Sequence, residues 1–130
     1  MAKGQFIWLM GIIALLLLAG CSVEVPQGAT IDGSVPYEAK MADGVQEVTL
    51  SWGRLNYAPE IITLKQGVPA KIIADTKRLT GCYRVLIIPE LRLEKHFSEK
   101  DNVLEFTPAK AGTYPFGCAM GMGRGTLVVE

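Results

Sequence analysis

Phe106-Thr107-Pro108-Ala109-Lys110-Ala111-Gly112-Thr113-Tyr114-Pro115-Phe116-Gly117-Cys118 is the stretch on which the reading of this chain turns. Val103, Glu105 and Thr107 alternate with Leu104 and Phe106, the period of two that marks a strand. Gly112-Thr113-Tyr114-Pro115-Phe116 then leads directly into Cys118. Upstream the same alternation recurs. Val48, Leu50 and Trp52 alternate with Glu47, Thr49 and Ser51. Ile62 and Leu64 follow Pro59, and Gly67-Val68-Pro69 makes a turn. Ala70 to Ala74 and Tyr83 to Ile88 read as strands, the second stopped by Pro89, and Thr126 to Glu130 closes the chain. About seven strands with turns every 8–12 residues predict an all-β sandwich. His96 to Lys100 is the one place where a helical turn is expected, with Ser98 or Asp101 as caps.

Downstream of the opening stretch lies Cys118-Ala119-Met120-Gly121-Met122-Gly123-Arg124-Gly125. In an extended segment, residues spaced by two project to one side. The glycines permit backbone angles closed to other residues, so the loop can wrap a small ion. A thiolate and two thioethers are soft ligands, which favour Cu(I). Zinc prefers cysteine with histidine, and calcium and magnesium want oxygen. The competing reading has Met120 and Met122 filling core gaps and the glycines forming a turn. Arg124 either favours thiolates, guides an acidic partner, or is a solvated surface residue.

The amino-terminal end is a different kind of sequence. Lys3 precedes an apolar run from Phe6 to Ala19, 14 residues long. A membrane-spanning helix needs roughly 20 residues, whereas a signal-peptide core is this short. The run ends in Leu18-Ala19-Gly20-Cys21, which resembles the lipobox of bacterial lipoproteins. That resemblance implies cleavage before Cys21, a diacylglycerol on its sulfur, and a chain held outside the cytoplasm at a membrane surface. An uncleaved anchor helix is the alternative. Ser22 to Gly44, with Pro26, Gly28, Gly33, Pro36 and Gly44, reads as a tether without lasting period, in which Met41 is incidental. The expected organisation is therefore a leader over 1–20, a lipid-anchored linker over 21–44 and one domain over 45–130.

Composition narrows the function further. The 130 residues carry 13 basic and 13 acidic side chains, which argues against a nucleic-acid partner. With Cys21 assigned to lipid, Cys82 and Cys118 remain, as one disulfide or one site. The single histidine, His96, sits among charged neighbours as a surface residue. It excludes any site that needs two histidines, including a type 1 copper centre. No Ser-His-Asp or paired-carboxylate arrangement is visible, so no enzyme is expected.

Tyr57-Ala58-Pro59-Glu60-Ile61-Ile62-Thr63-Leu64-Lys65-Gln66-Gly67-Val68-Pro69 resembles the opening of cupredoxin-like domains, and Phe106 to Cys118 their closing hairpin. The resemblance covers roughly residues 45–130 and implies a Greek-key β-sandwich. One cysteine in the earlier loop plus Cys-x-Met-x-Met in the later one is similar to membrane-anchored cupredoxin-like Cu(I) chaperones. It is also similar to cupredoxin domains of copper-exporting P-type ATPases. That likeness implies a binuclear Cu(I) site in which Cys82 bridges, Cys118 completes one ion's shell, and Met120 and Met122 complete the other's. Some relatives place a histidine after the methionines, where this chain has Gly123-Arg124, so one or two ions are expected. The implied role is a copper chaperone or buffer that passes Cu(I) by ligand exchange to a copper-transporting P-type ATPase or another acceptor. A disulfide-bonded interaction module and an electron-transfer protein are the alternatives. Silver(I) is not distinguished from Cu(I) by these ligands.

Overall fold

The computed structural model describes residues 35–130. The leader, Cys21 and the linker as far as residue 34 lie outside the described residues. Eleven strands form in chain order: β1 (Tyr37–Glu38), β2 (Lys40–Ala42), β3 (Val45–Trp52), β4 (Tyr57–Ala58), β5 (Ile61–Leu64), β6 (Ala70–Ala74), β7 (Val85–Ile88), β8 (Leu93–His96), β9 (Val103–Phe106), β10 (Gly112–Gly117) and β11 (Arg124–Val129). One sheet runs β1-β5-β11-β10-β7-β8, and the other runs β2-β3-β6-β9 with β4 joined to β3. This is the expected all-β sandwich.

The alternation read in the sequence becomes the core. Val48 and Leu50 of β3, Ile62 and Leu64 of β5, Ile72 and Ala74 of β6, and Leu127 and Val129 of β11 all turn inward and are buried. Each fully buried aliphatic side chain contributes about 1.5–3 kcal/mol of transfer free energy. Buried Gln46 keeps its amide satisfied by donating to the carbonyls of Lys65 and Val68, 3.0 Å each. It thereby fastens β3 to the Gly67-Val68-Pro69 turn.

Three expectations are corrected. Strand pairing begins at Tyr37, not at Val45, so the linker expected over 21–44 is too long. β1 lies parallel to β5, and β2 antiparallel to β3. The segment straps the two sheets together at their edges, where main-chain donors and acceptors would otherwise lack partners. His96 to Lys100 forms no helical turn. His96 closes β8 opposite Val85, and Ser98 and Asp101 bond each other's backbone in a tight turn. The strand expected over Tyr83 to Ile88 starts at Val85, because Gly81–Arg84 forms a 3₁₀ turn.

Candidate metal centre

Two loops meet at one end of the sandwich. The first carries Cys82 within the 3₁₀ turn Gly81–Arg84. Gly81 has φ +56°, a left-handed angle that glycine reaches without strain. Arg84 anchors this loop from below. Its Nε donates to the Leu79 carbonyl and its Nη2 to the Thr76 carbonyl, both at 2.8 Å.

The second loop joins β10 to β11. The Cys118 N–H donates to the Gly123 carbonyl at 3.2 Å, and the Gly121 N–H donates to the Cys118 carbonyl at 3.0 Å. The segment is therefore a closed turn, not the extended run in which Cys118, Met120 and Met122 would share one side. Gly121, at φ +70°, allows that closure. Cys118 is 7% exposed, whereas Met120 and Met122 are 71% and 58% exposed. The methionines do not fill the core.

Cys82 and Cys118 are brought together, and both are free thiols. Their side chains are close enough for each to shift the other's titration. Cys82 is pushed up from the ordinary thiol value, first by its partial burial, then by the Cys118 side chain beside it and that neighbour's charge. For Cys118, burial alone works upward. The backbone N–H groups of Gly123, Met122 and Met120, joined by the Cys82 side chain, outweigh it and hold Cys118 below the ordinary value. The turn thus wraps its amides around one sulfur. Backbone donors favour this thiolate, while Arg124 is exposed.

Beneath the sulfurs lies an aromatic floor that sequence reasoning missed. Trp52 and Tyr83 stack with centroids 3.7 Å apart, and Tyr57 meets Trp52 edge-on at 5.5 Å and Phe116 at 5.7 Å. The Tyr57 hydroxyl donates to the Tyr83 carbonyl at 3.2 Å, next to Cys82. Burial, then the charges of Cys118 and Cys82, push the Tyr57 phenol well up, so it stays neutral. The available signal was Tyr83 adjoining Cys82 and Tyr57 opening the segment that leads to β5.

The loop fits this floor only with glycine. A Cβ on Gly123 would come 2.7 Å from Tyr57 Cε2 and 3.0 Å from Trp52 Cζ3, and one on Gly125 would run into the Phe116 ring. Among the described residues, no three His, Cys, Asp or Glu side chains cluster. His96 is exposed on β8. The donors on the two loops are therefore two thiols and two thioethers, and His96 closes β8 opposite Val85 at the same end, exposed.

The sequence matches the cupredoxin-like domain family over residues 11–129. A copper-binding protein solved in its apo form is 32% identical, covers 74% of this chain and 98% of its own, and superposes with a TM-score of 0.65. The metal-binding domain of the Cu(I)-exporting P-type ATPase CopA of Streptococcus pneumoniae, solved with Cu(I), is 26% identical. It covers 74% of this chain and 96% of its own, with a TM-score of 0.64. A reduced amicyanin variant shares the fold at 22% identity and a TM-score of 0.51, covering 70% of this chain and 87% of its own. Among curated proteins, none is a significant sequence match. A two-sheet sandwich, a closing hairpin that delivers Cys118 and a match over nearly the whole chain agree: the protein belongs to the cupredoxin-like domain family.

Proposed function

We propose that this chain is a lipid-anchored carrier of Cu(I) outside the cytoplasm, with copper as its cargo. One observation carries the reading: Cys82 and Cys118, from loops far apart in sequence, come together as neighbouring free thiols at one end of the sandwich. They lie beside a turn that exposes two methionines. Soft thiolate and thioether donors select Cu(I). The copper named in two related structures supports the same ligand.

In the proposed mechanism, Cys118 is the first thiolate to form, and Cys82 loses its proton as the ion binds. The two thiolates hold one ion, and Met120 and Met122 serve a weaker second position. Low coordination leaves room for an acceptor's thiolate, so copper moves without becoming free. The acceptor is a copper-transporting P-type ATPase or another soft-ligand protein. No electron-transfer role is proposed, because a type 1 centre needs two histidines, and the only histidine is exposed on β8.

Titration of the reduced protein with Cu(I) against a chromophoric chelator tests this reading. Tight binding of one or two equivalents is expected, and it is lost in Cys82→Ser and in Cys118→Ser. Weak binding that neither change affects would overturn it and leave an interaction module.

A further inference from the structure

The chain enters the sandwich at the end that carries the sulfurs. Tyr37 of β1 lies opposite Ile62, and Ile62 lies opposite Leu127, three residues past Arg124. β1 runs parallel to β5, and β5 to β11, so the chain approaches Tyr37 from the metal-loop side. β11 lies two strands away in the sheet, about 10 Å across. The fifteen residues 22–36 separate Cys21 from this entry point. At full extension that length spans no more than about 55 Å.

The same end gathers the exposed apolar side chains. Val35 is 63% exposed, Leu55 85%, Met120 71% and Met122 58%; only Met41, at 53%, lies at the other end of β3. Leu55 belongs to the β3–β4 turn, which is tied to the metal loop where the Arg124 N–H donates to Asn56 Oδ1 at 2.8 Å. Arg54 and Arg124 flank these side chains, are exposed, and form no salt bridge among the described residues. Glu60 and Glu90 lie on the segments leading to β5 and following β7, and the turns after β6 and β8 bring Asp75, Glu99 and Asp101 to the same end together with Lys77, Arg78 and Lys100; Asp101 is paired with Lys95.

We propose that this end rests on the bilayer surface, with Val35 and Leu55 entering the headgroup region and Arg54 and Arg124 meeting lipid phosphates. The proposal rests on the lipid anchor at Cys21. A tether that approaches from one end lets that end meet the membrane, and the loop-tip apolar groups flanked by arginines set the orientation, because they suit an interface that is oily on one side and anionic on the other. Held so, the sulfur loop faces membrane-embedded acceptors rather than soluble ones.

The full chain, reconstituted in phosphatidylcholine–phosphatidylglycerol vesicles, is examined by amide hydrogen exchange, with intact mass reporting acylation of Cys21. Protection relative to detergent is expected at residues 53–56 and 119–122 and not at 65–68 or 109–111 on the opposite end. Arg54→Glu and Leu55→Ser, both on an exposed turn, keep the fold and reduce that protection, the charge reversal by roughly fivefold or more. An unmodified Cys21 with the chain left in the supernatant removes the anchor and this proposal together. An acylated chain with no end-specific protection overturns the docking alone. Protection that arises only when a copper-transporting membrane protein is co-reconstituted assigns the surface to protein and overturns the lipid contact.

Discussion

The backbone N–H of Arg124 donates to Asn56 Oδ1 at 2.8 Å, a bond that joins residues 68 apart in the chain. The turn that presents Asn56 is itself closed by the Gly53 N–H on the Asn56 carbonyl, also at 2.8 Å. The pair clamps the exit of the sulfur loop against the Trp52–Tyr57 floor. Asn56→Ala removes the acceptor, and a stability loss of about 1 kcal/mol is expected. Faster amide exchange at Arg124 is expected with it. Asn56→Asp retains an oxygen in place and rescues the exchange rate. Equal effects of Ala and Asp would show that the carboxamide oxygen does not hold the loop.

The three glycines of the loop exit differ in what they tolerate. Gly125→Ala forces a methyl into the Phe116 ring, and Gly123→Ala forces one against Tyr57 and Trp52. Overpacking of this kind costs roughly 1–3 kcal/mol. Gly121 has open space around its missing Cβ, and only its φ of +70° opposes a side chain. Gly121→Ala is therefore the mildest, at about 1 kcal/mol. Urea midpoints rank the three variants. A Gly121→Ala as damaging as Gly125→Ala would mean that the loop packs more tightly than the open space around it indicates.

The two thiols titrate apart. Cys118 lies below the ordinary thiol value and Cys82 above it. The Cys118 contribution to stability is present above its unfolded value and fades as pH falls through the folded one. The Cys82 contribution is present below its unfolded value and fades as pH rises through the folded one. Between these limits the pair holds one proton, on Cys82. Thiolate absorbance of the apo protein should rise in two steps, the first removed by Cys118→Ser. That change should also bring the Cys82 step down, because the neighbour's charge is gone. A single step of double amplitude at the ordinary value would refute the coupling.

Much of the architecture was readable because β3, β5 and β6 alternate cleanly, and each alternation became one buried face. β1 and β2 were not readable. Strands of two and three residues carry no period, and what orders Tyr37–Ala42 is the pair of sheet edges it finds. The sulfur residues stood out because cysteine is rare in this chain and two methionines fall in one glycine-rich run. The shape of their loop did not, since closure depends on Cys118 and Gly123 bonding through the main chain. The aromatic floor escaped for a similar reason. Trp52, Tyr57, Tyr83 and Phe116 converge from separate segments, and convergence of that kind belongs to packing rather than to local pattern.

Met120 and Met122 offer the sharpest separation between cargo binding and structure. Both side chains project from the core into solvent. Leucine matches methionine closely in volume, and a swap at exposed positions shifts stability by no more than about 0.5 kcal/mol. Any effect of Met120→Leu or Met122→Leu on copper therefore reports ligation. Thioethers are neutral donors, so the ion they complete is held more weakly than one between two thiolates. The expected result is loss of the weaker Cu(I) equivalent alone, with the tight one intact and the melting temperature of the apo protein unchanged. If both equivalents survive both changes, the thioethers are not ligands, and the site reduces to the Cys82–Cys118 pair.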